Sequence, residues 1–167
     1  GSQGRLQSSV NLNELDCYPS DPNQIVTGGP CGGLGTNATV DLIGQEAGHQ
    51  WLAFVNFNSG GVCRDLLLGR DLAHWSFFHD TNASDMEGNK WQDNGNGTFT
   101  SIEATKRYSA LDQYIMGLRS ATDVPTFFFS NNPSSANCQD LDPSTGERSC
   151  APETGVTVSG TRRNVTI

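Results

Sequence analysis

Three residues in one short stretch have the types and the spacing to do chemistry. They are Gln45, Glu46 and His49, within Gly44-Gln45-Glu46-Ala47-Gly48-His49. On a helix, side chains four residues apart project side by side and can grip one ion. Two imidazoles so placed, with a glutamate directly after the first, make the H-E-x-x-H arrangement: the imidazoles hold zinc and the glutamate is the general base. Here Gln45 stands where the first imidazole would be. An amide offers an ion only a neutral, hard oxygen, better suited to calcium or magnesium than to zinc. Glu46 and His49 alone are a weak signal, and their plainer reading is a solvated helix glutamate beside a packed histidine.

These residues need a helix, and the apolar pattern supplies one. Ile43, Ala47, Trp51 and Val55 recur at helical spacing, which predicts a helix over 39–55 with one buried face. Thr39 is placed to cap its start and Asn58-Ser59-Gly60-Gly61 to end it. Before it, residues 1–36 read as mostly irregular, with a short strand or turn at Val10–Leu15. After it, the aromatic run Ala73–Asp80 has strand character. The Asn-Gly steps within Asp93–Gly97 predict a hairpin between strands ending near Trp91 and starting at Thr98. Tyr108–Leu118 reads as a second helix, with capping-box spacing at Ser109 and Asp112 and Gly117 to close it. Residues 120–153, punctuated by prolines, read as loop, and 156–158 and 164–167 as strands.

Composition narrows the classes. A chain of 167 residues suffices for one domain with a core. Its net charge of -8, with only Lys90 and Lys106 as lysines, excludes a binder that tracks nucleic-acid phosphates. No apolar run reaches the roughly 18 residues of a membrane span. Residues 1–9 read as a tag remnant and disordered lead, and 10–167 as the folded domain, cut from a longer chain because it stops inside the last apolar alternation. High Gly, Asn, Ser and Thr content with few lysines reads as an exported protein, secreted or at the cell surface. None of the five cysteines forms C-x-x-C, so a cysteine zinc site is not expected. Cys17 with Cys31 and Cys138 with Cys150 would close short loops and leave Cys63 free, though other pairings remain open. Asn37, Asn82, Asn96 and Asn164 are sequons.

Several stretches together resemble one family. They are Asn13-Glu14-Leu15 before Tyr18-Pro19, then Gly44–Leu52, Ala73-His74-Trp75-Ser76-Phe77-Phe78, Met86-Glu87-Gly88-Asn89 and Tyr108–Leu118. The set is similar to a bacterial family of secreted zinc-metallopeptidase domains with H-E-x-G-H-x-W, H-W-S-F-F and Y-S-x-L-D-x-Y-x-M-G-L motifs. The likeness runs from about residue 10 to 167 and departs where the family places its first metal histidine, at Gln45. It implies an α+β, small zincin-like domain, its metal-site helix packed on a mixed or antiparallel sheet with long loops. It also implies zinc as cofactor, weakly held with Gln45 in place, a peptide or protein substrate, a monomer, and bacterial export.

On this reading Glu46 is the general base and His49 a metal ligand. The third ligand expected is His74, 25 residues after His49 and flanked by aromatics that can exclude water, so that Glu46, His49 and His74 line one cleft. His79, Asp80 and Glu87 are its rivals, and the plainer reading of His74 is a core-edge histidine bonded to backbone. Met86 or Met116 could lie under a metal, or simply fill core. Asp112 could orient a histidine N–H, or only cap its own helix. Tyr108 and Tyr114 could donate to an oxyanion, or only pack. Two further classes stand beside the peptidase: a catalytically inactive binding or structural module, and a carbohydrate-surface module suggested by the aromatic and Asn/Gly content.

Overall fold

The computed structural model describes residues 9–12, 14–26, 37–139 and 141–167. It is α+β, with few helices and antiparallel sheets, and divides into two compact units, Gly1–Gln50 and Trp51–Ile167. Among the described residues no helix is long and apolar enough to cross a membrane.

The first unit carries a single-turn helix at Leu15–Cys17 and the helix α1, Thr39–Gly48. Ile25 bridges Ala38, and Val40 N–H donates to the Pro22 carbonyl (3.0 Å), which fixes where α1 starts. The cap is not Thr39. Ala38 is the extended residue before the helix, and its N–H donates to Asp41 Oδ2 at 2.7 Å, so the acidic residue of the first turn does the capping. The helix also ends early, at Gly48 rather than near Val55. Gln50 N–H turns back to the Ala47 carbonyl, Ala53 adopts φ +57°, and Leu52 and Ala53 are fully buried in the core of the second unit. Tertiary burial overrides the helical period there, and Ile43 and Trp51, expected on a buried face, are 39% and 43% exposed. The expected strand or turn at Val10–Leu15 is irregular up to Leu15 where described; Asn13 lies outside the described residues.

Among the described residues, the second unit is three small antiparallel sheets around two hydrophobic clusters. β1 (Phe57–Ser59) and β2 (Val62–Arg64) form a hairpin whose two turn residues, Gly60 and Gly61, both have positive φ, as a two-residue turn of this kind requires. β3 (Asn89–Asp93) and β4 (Thr98–Ala104) form the hairpin expected from the Asn-Gly steps, with a bulge between Lys90 and Trp91. β5 (Phe127–Asn131) pairs with β7 (Thr161–Val165), and β6 (Thr157–Ser159) completes the β3–β4 sheet. Gly160 lets the chain pass from one sheet to the other, because a Cβ there would run into the Ser130 side chain on β5. β5 feeds both clusters by strand alternation. Phe129 packs with Leu67, Leu68, Trp75, Met86 and Leu111, and Phe128 with Phe77, Trp91, Phe99 and Val158. Each such fully buried large side chain contributes about 1.5–3 kcal/mol.

Two further expectations need correction. Residues 120–153 are not all loop, since β5 lies within them. Ala73–Asp80 is not a strand. Its N–H groups go to four separate places: Trp75 to Met86, Ser76 to Leu67, Phe77 to Arg148 and Asp80 to Phe128. It is a buried crossing that ties segments together. The helix α2 spans Ala110–Ile115, with Ser109 and Asp112 in a reciprocal capping box and Gly117 at φ +76° closing it through Leu118 N–H to the Gln113 carbonyl (2.8 Å). Cys138 and Cys150 form the expected disulfide, Cα atoms 5.8 Å apart, and Cys63 is a free, exposed thiol. Cys17 is also disulfide-bonded; the expected pairing with Cys31 lies outside the described residues.

Candidate metal-site residues

In the first unit, helix α1 presents Gln45 and His49 as the sequence pattern requires. The Gln45 side-chain Nε2 lies 2.8 Å from His49 Nε2. An amide nitrogen can only donate, so the imidazole accepts through Nε2, the lone pair a zinc ion would take. The two side chains therefore converge on one point, joined there by an N–H···N hydrogen bond. Gln45 and His49 are half-buried and Glu46 is exposed beside them.

In the second unit, His74 and Glu87 come together. Trp75 N–H donates to the Met86 carbonyl (3.0 Å) and Gly69 N–H to the His74 carbonyl (2.9 Å), which sets residues 74 and 87 side by side. His74 is buried, and its Nδ1 donates to the Arg70 carbonyl at 2.9 Å. A carbonyl only accepts, so Nδ1 carries a hydrogen. Its Nε2 lies 3.7 Å from Glu87 Oε1 and receives a hydrogen bond from Arg70 Nη2 at 3.2 Å. Arg70 also holds Glu87 with both ends of its fork: Nε donates to Oε2 at 3.1 Å, and Nη2 donates to Oε1. Glu87 is in the left-handed region at φ +59°, a conformation uncommon for a residue with a side chain. Arg70 escaped sequence reasoning: it opens a kinked single turn, Arg70–Leu72, and an arginine four residues before a histidine across such a turn carries no spacing signal.

His79 is separate from that cluster. It is fully buried, edge-on to Trp75 (ring centroids 5.2 Å) and tilted against Phe127 (5.0 Å), and neither ring nitrogen makes a well-formed hydrogen bond. Burial lowers its pKa to about 3, offset only slightly by the nearby Leu67 carbonyl, so the ring is neutral. It forms part of the wall of a cavity of about 230 Å³ together with Asp80, Ser109 and Leu111. Burial raises the pKa of Asp80, opposed by the N–H groups of Trp91 (3.0 Å) and Asn82 and then by Arg162 and Lys90. Tyr108 is also raised, by burial first and then by Asp85 and Asp112, which keeps its hydroxyl a donor. Met86 is core beneath Trp75, and Met116 and Tyr114 pack on the same cluster. Asp112 caps its helix and accepts from Trp75 Nε1 and Ser84 Oγ rather than from a histidine.

Within neither unit, among the described residues, do three His, Cys, Asp or Glu side chains gather closely enough to hold a metal ion. Comparison of the chain with protein-family models, with curated proteins and with solved structures gives no match.

Proposed function

We propose that the chain is an exported, zincin-like metallopeptidase domain in which Gln45 has replaced a zinc-binding histidine, leaving zinc weakly held and peptide hydrolysis impaired. The observation that carries this reading is the 2.8 Å approach of Gln45 Nε2 to His49 Nε2. It supports a point of convergence one helical turn wide, where a histidine at position 45 would share an ion with His49 at bonds of about 2.0–2.1 Å. Zinc, when bound, acts as a Lewis acid and brings the pKa of a water to about 7. The chain's own contribution follows from side-chain chemistry. His49 holds the ion through Nε2. Glu46, exposed next to it, takes a proton and returns it to the leaving amine. Gln45 fits this set poorly, since its nitrogen repels an ion and its oxygen is a hard donor.

A second reading is a peptide-binding module without turnover. It is favoured by Arg70, which engages the Nε2 of His74 with an N–H donor just as Gln45 engages that of His49.

Gln45→His separates the two. On the peptidase reading it tightens zinc by at least the roughly 10–100-fold that even an indirect metal-site change costs, and hydrolysis of an unstructured substrate such as casein rises with zinc. Zinc titration by calorimetry and a casein assay on both proteins read the result. A folded Gln45→His with neither gain hands the case to the binding module. A single tightly held zinc in the unsubstituted protein refutes the assigned role of Gln45.

A further inference from the structure

We propose that Asn96 is a self-modification site: its turn primes the side-chain amide for loss of ammonia to the following peptide, giving aspartate and isoaspartate, while the same turn protects Asn94. The inference goes beyond the metallopeptidase reading and uses none of its residues. The chain has two Asn-Gly steps, Asn94-Gly95 and Asn96-Gly97, and both lie exposed between β3 and β4. The reaction needs only water. Gly97 N attacks Asn96 Cγ, forming an N–C bond and losing its proton to water. The electron pair of the carbonyl moves to Oδ1 and returns as the Cγ–Nδ2 bond breaks, and Nδ2 leaves as ammonia after taking up a proton. Water then adds to either carbonyl of the cyclic imide and opens it to aspartate or isoaspartate. Glycine suits the second position because no Cβ screens the attacking nitrogen.

The two steps are alike in sequence and opposite in geometry. Asn96 Oδ1 accepts from Thr98 N–H at 3.1 Å and from Thr98 Oγ1 at 2.6 Å. This Asx turn folds the side chain back over the peptide that follows it and brings Cγ toward Gly97 N. Both donors sit on the oxygen that becomes negative during the attack. Among the described residues neither Gly97 N–H nor Asn96 Nδ2 makes a hydrogen bond, so nucleophile and leaving group are both untied. Asn94 is held the other way. Its Nδ2 donates to Thr98 Oγ1 and Thr100 Oγ1, each at 3.0 Å, and its Oδ1 accepts from Gln92 Nε2 at 3.3 Å. That stretches the side chain across the hairpin to β4, away from the Gly95 peptide, and ties down the nitrogen that would leave. Gly95 N–H is itself held by Asp93 Oδ1 at 2.9 Å.

Thr98 couples the two fates. Its hydroxyl accepts from Asn94 Nδ2 and donates to Asn96 Oδ1, a relay in which each bond polarises the next. One side chain therefore restrains Asn94 and activates Asn96. The product is felt beyond the turn. Aspartate keeps an oxygen for the Thr98 donors, but isoaspartate lengthens the main chain just before Gly97. The Gly97 carbonyl accepts from Gly160 N–H at 2.9 Å, where the chain passes from β6 to β7.

The test incubates the purified protein at mildly alkaline pH, once folded and once in guanidinium chloride. Peptide mapping by mass spectrometry follows each asparagine, and electron-transfer fragmentation separates isoaspartate from aspartate. In the folded protein Asn96 is expected to convert at least about tenfold faster than Asn94, a gap that closes in denaturant. Thr98→Val removes the hydroxyl and is expected to slow Asn96 by about threefold to tenfold while speeding Asn94. Thr98→Ser, which keeps a hydroxyl, is expected to restore the parental pattern. Circular dichroism checks that each variant is folded. Equal rates for the two asparagines in the folded protein overturn the proposal. So does an Asn96 that stays intact when folded while the denatured chain converts, or a folded Thr98→Val with the parental Asn96 rate. If Thr98→Val folds poorly, the comparison of folded with denatured parent decides alone, since it needs no substitution.

Discussion

Asp112→Ala is expected to lose on the order of 4 kcal/mol of folding stability, the range seen when one partner of a buried charged network is removed. Asp112 has no exposed surface. Its Oδ1 accepts from Trp75 Nε1 at 2.8 Å, and its Oδ2 accepts from Ser84 Oγ and from Ser109 N, both at 2.6 Å. Truncation leaves three buried donors unpaired, each costing about 1–3 kcal/mol, and removes half of the capping box of α2. Asp112→Asn is the informative partner. Both carboxylate oxygens face donors, so an amide must turn its NH2 toward one of them, and a loss of roughly half the alanine effect is expected. Against a total of about 5–15 kcal/mol for a domain, either change is large. Urea denaturation midpoints read the effect, and a loss below about 1 kcal/mol for Asp112→Ala would show that the network relaxes around a cavity. The consequence reaches the candidate site. Trp75 adjoins His74, and Met86, whose N–H donates to Ser84 Oγ at 3.1 Å, adjoins Glu87. Loosening Asp112 therefore loosens both members of the His74–Glu87 pair.

That connection explains which parts of the molecule were legible from sequence. The β3–β4 hairpin and the capping box of α2 are local chemistry: Asn-Gly steps and a Ser-x-x-Asp spacing dictate their own backbone within a few residues. Gln45 and His49 converge for the same reason, because four residues on a helix is a fixed geometry. The misses are non-local. Helical spacing alone runs α1 through Trp51 to Val55, and only the burial of Leu52 and Ala53 stops it. Aromatic content makes Trp75–Asp80 look like a strand, yet its N–H groups are shared among four distant segments. Pro125 and Pro133 suggest loop, but they flank β5 and leave Phe127–Asn131 free to pair with β7. His74 and Glu87 could be picked out as chemically able residues. Their approach depends on the Trp75–Met86 backbone bond, and the place of Arg70 between them on that approach in turn.

Stability is expected to fall as pH drops from about 7 to 5, and His79 is expected to account for about 2 kcal/mol of the fall. The folded pKa of His79, about 3, lies below the ordinary 6.5 because the ring is buried away from water. Below 6.5 the unfolded chain therefore takes up a proton that the native protein refuses. The native state loses stability relative to the unfolded one at about 1.36 kcal/mol per pH unit until the folded ring titrates. Carried to pH 3, the gap between 6.5 and about 3 corresponds to a total on the order of 4–5 kcal/mol. Asp80 works with the opposite sign. Its folded pKa is raised by burial, so protonation favours the native state as pH falls through the carboxylate range, and this masks part of the histidine effect below about pH 5. The window between 6.5 and 5 is thus the cleaner one. His79→Phe tests the assignment. The apolar ring keeps the contacts with Trp75 and Phe127 and removes two nitrogens that lack well-formed hydrogen bonds, and the adjoining cavity of about 230 Å³ gives room for its larger volume. Urea unfolding of parent and variant at pH 7, 6 and 5 gives the difference in slope directly, independent of any constant gain or loss from repacking. The variant is expected to be about 2 kcal/mol less sensitive over that interval. Parallel pH curves for the two proteins would mean that the ring is protonated in the folded state near its ordinary pKa, and that water or a polar group reaches a nitrogen that the packing against Trp75 and Phe127 closes off.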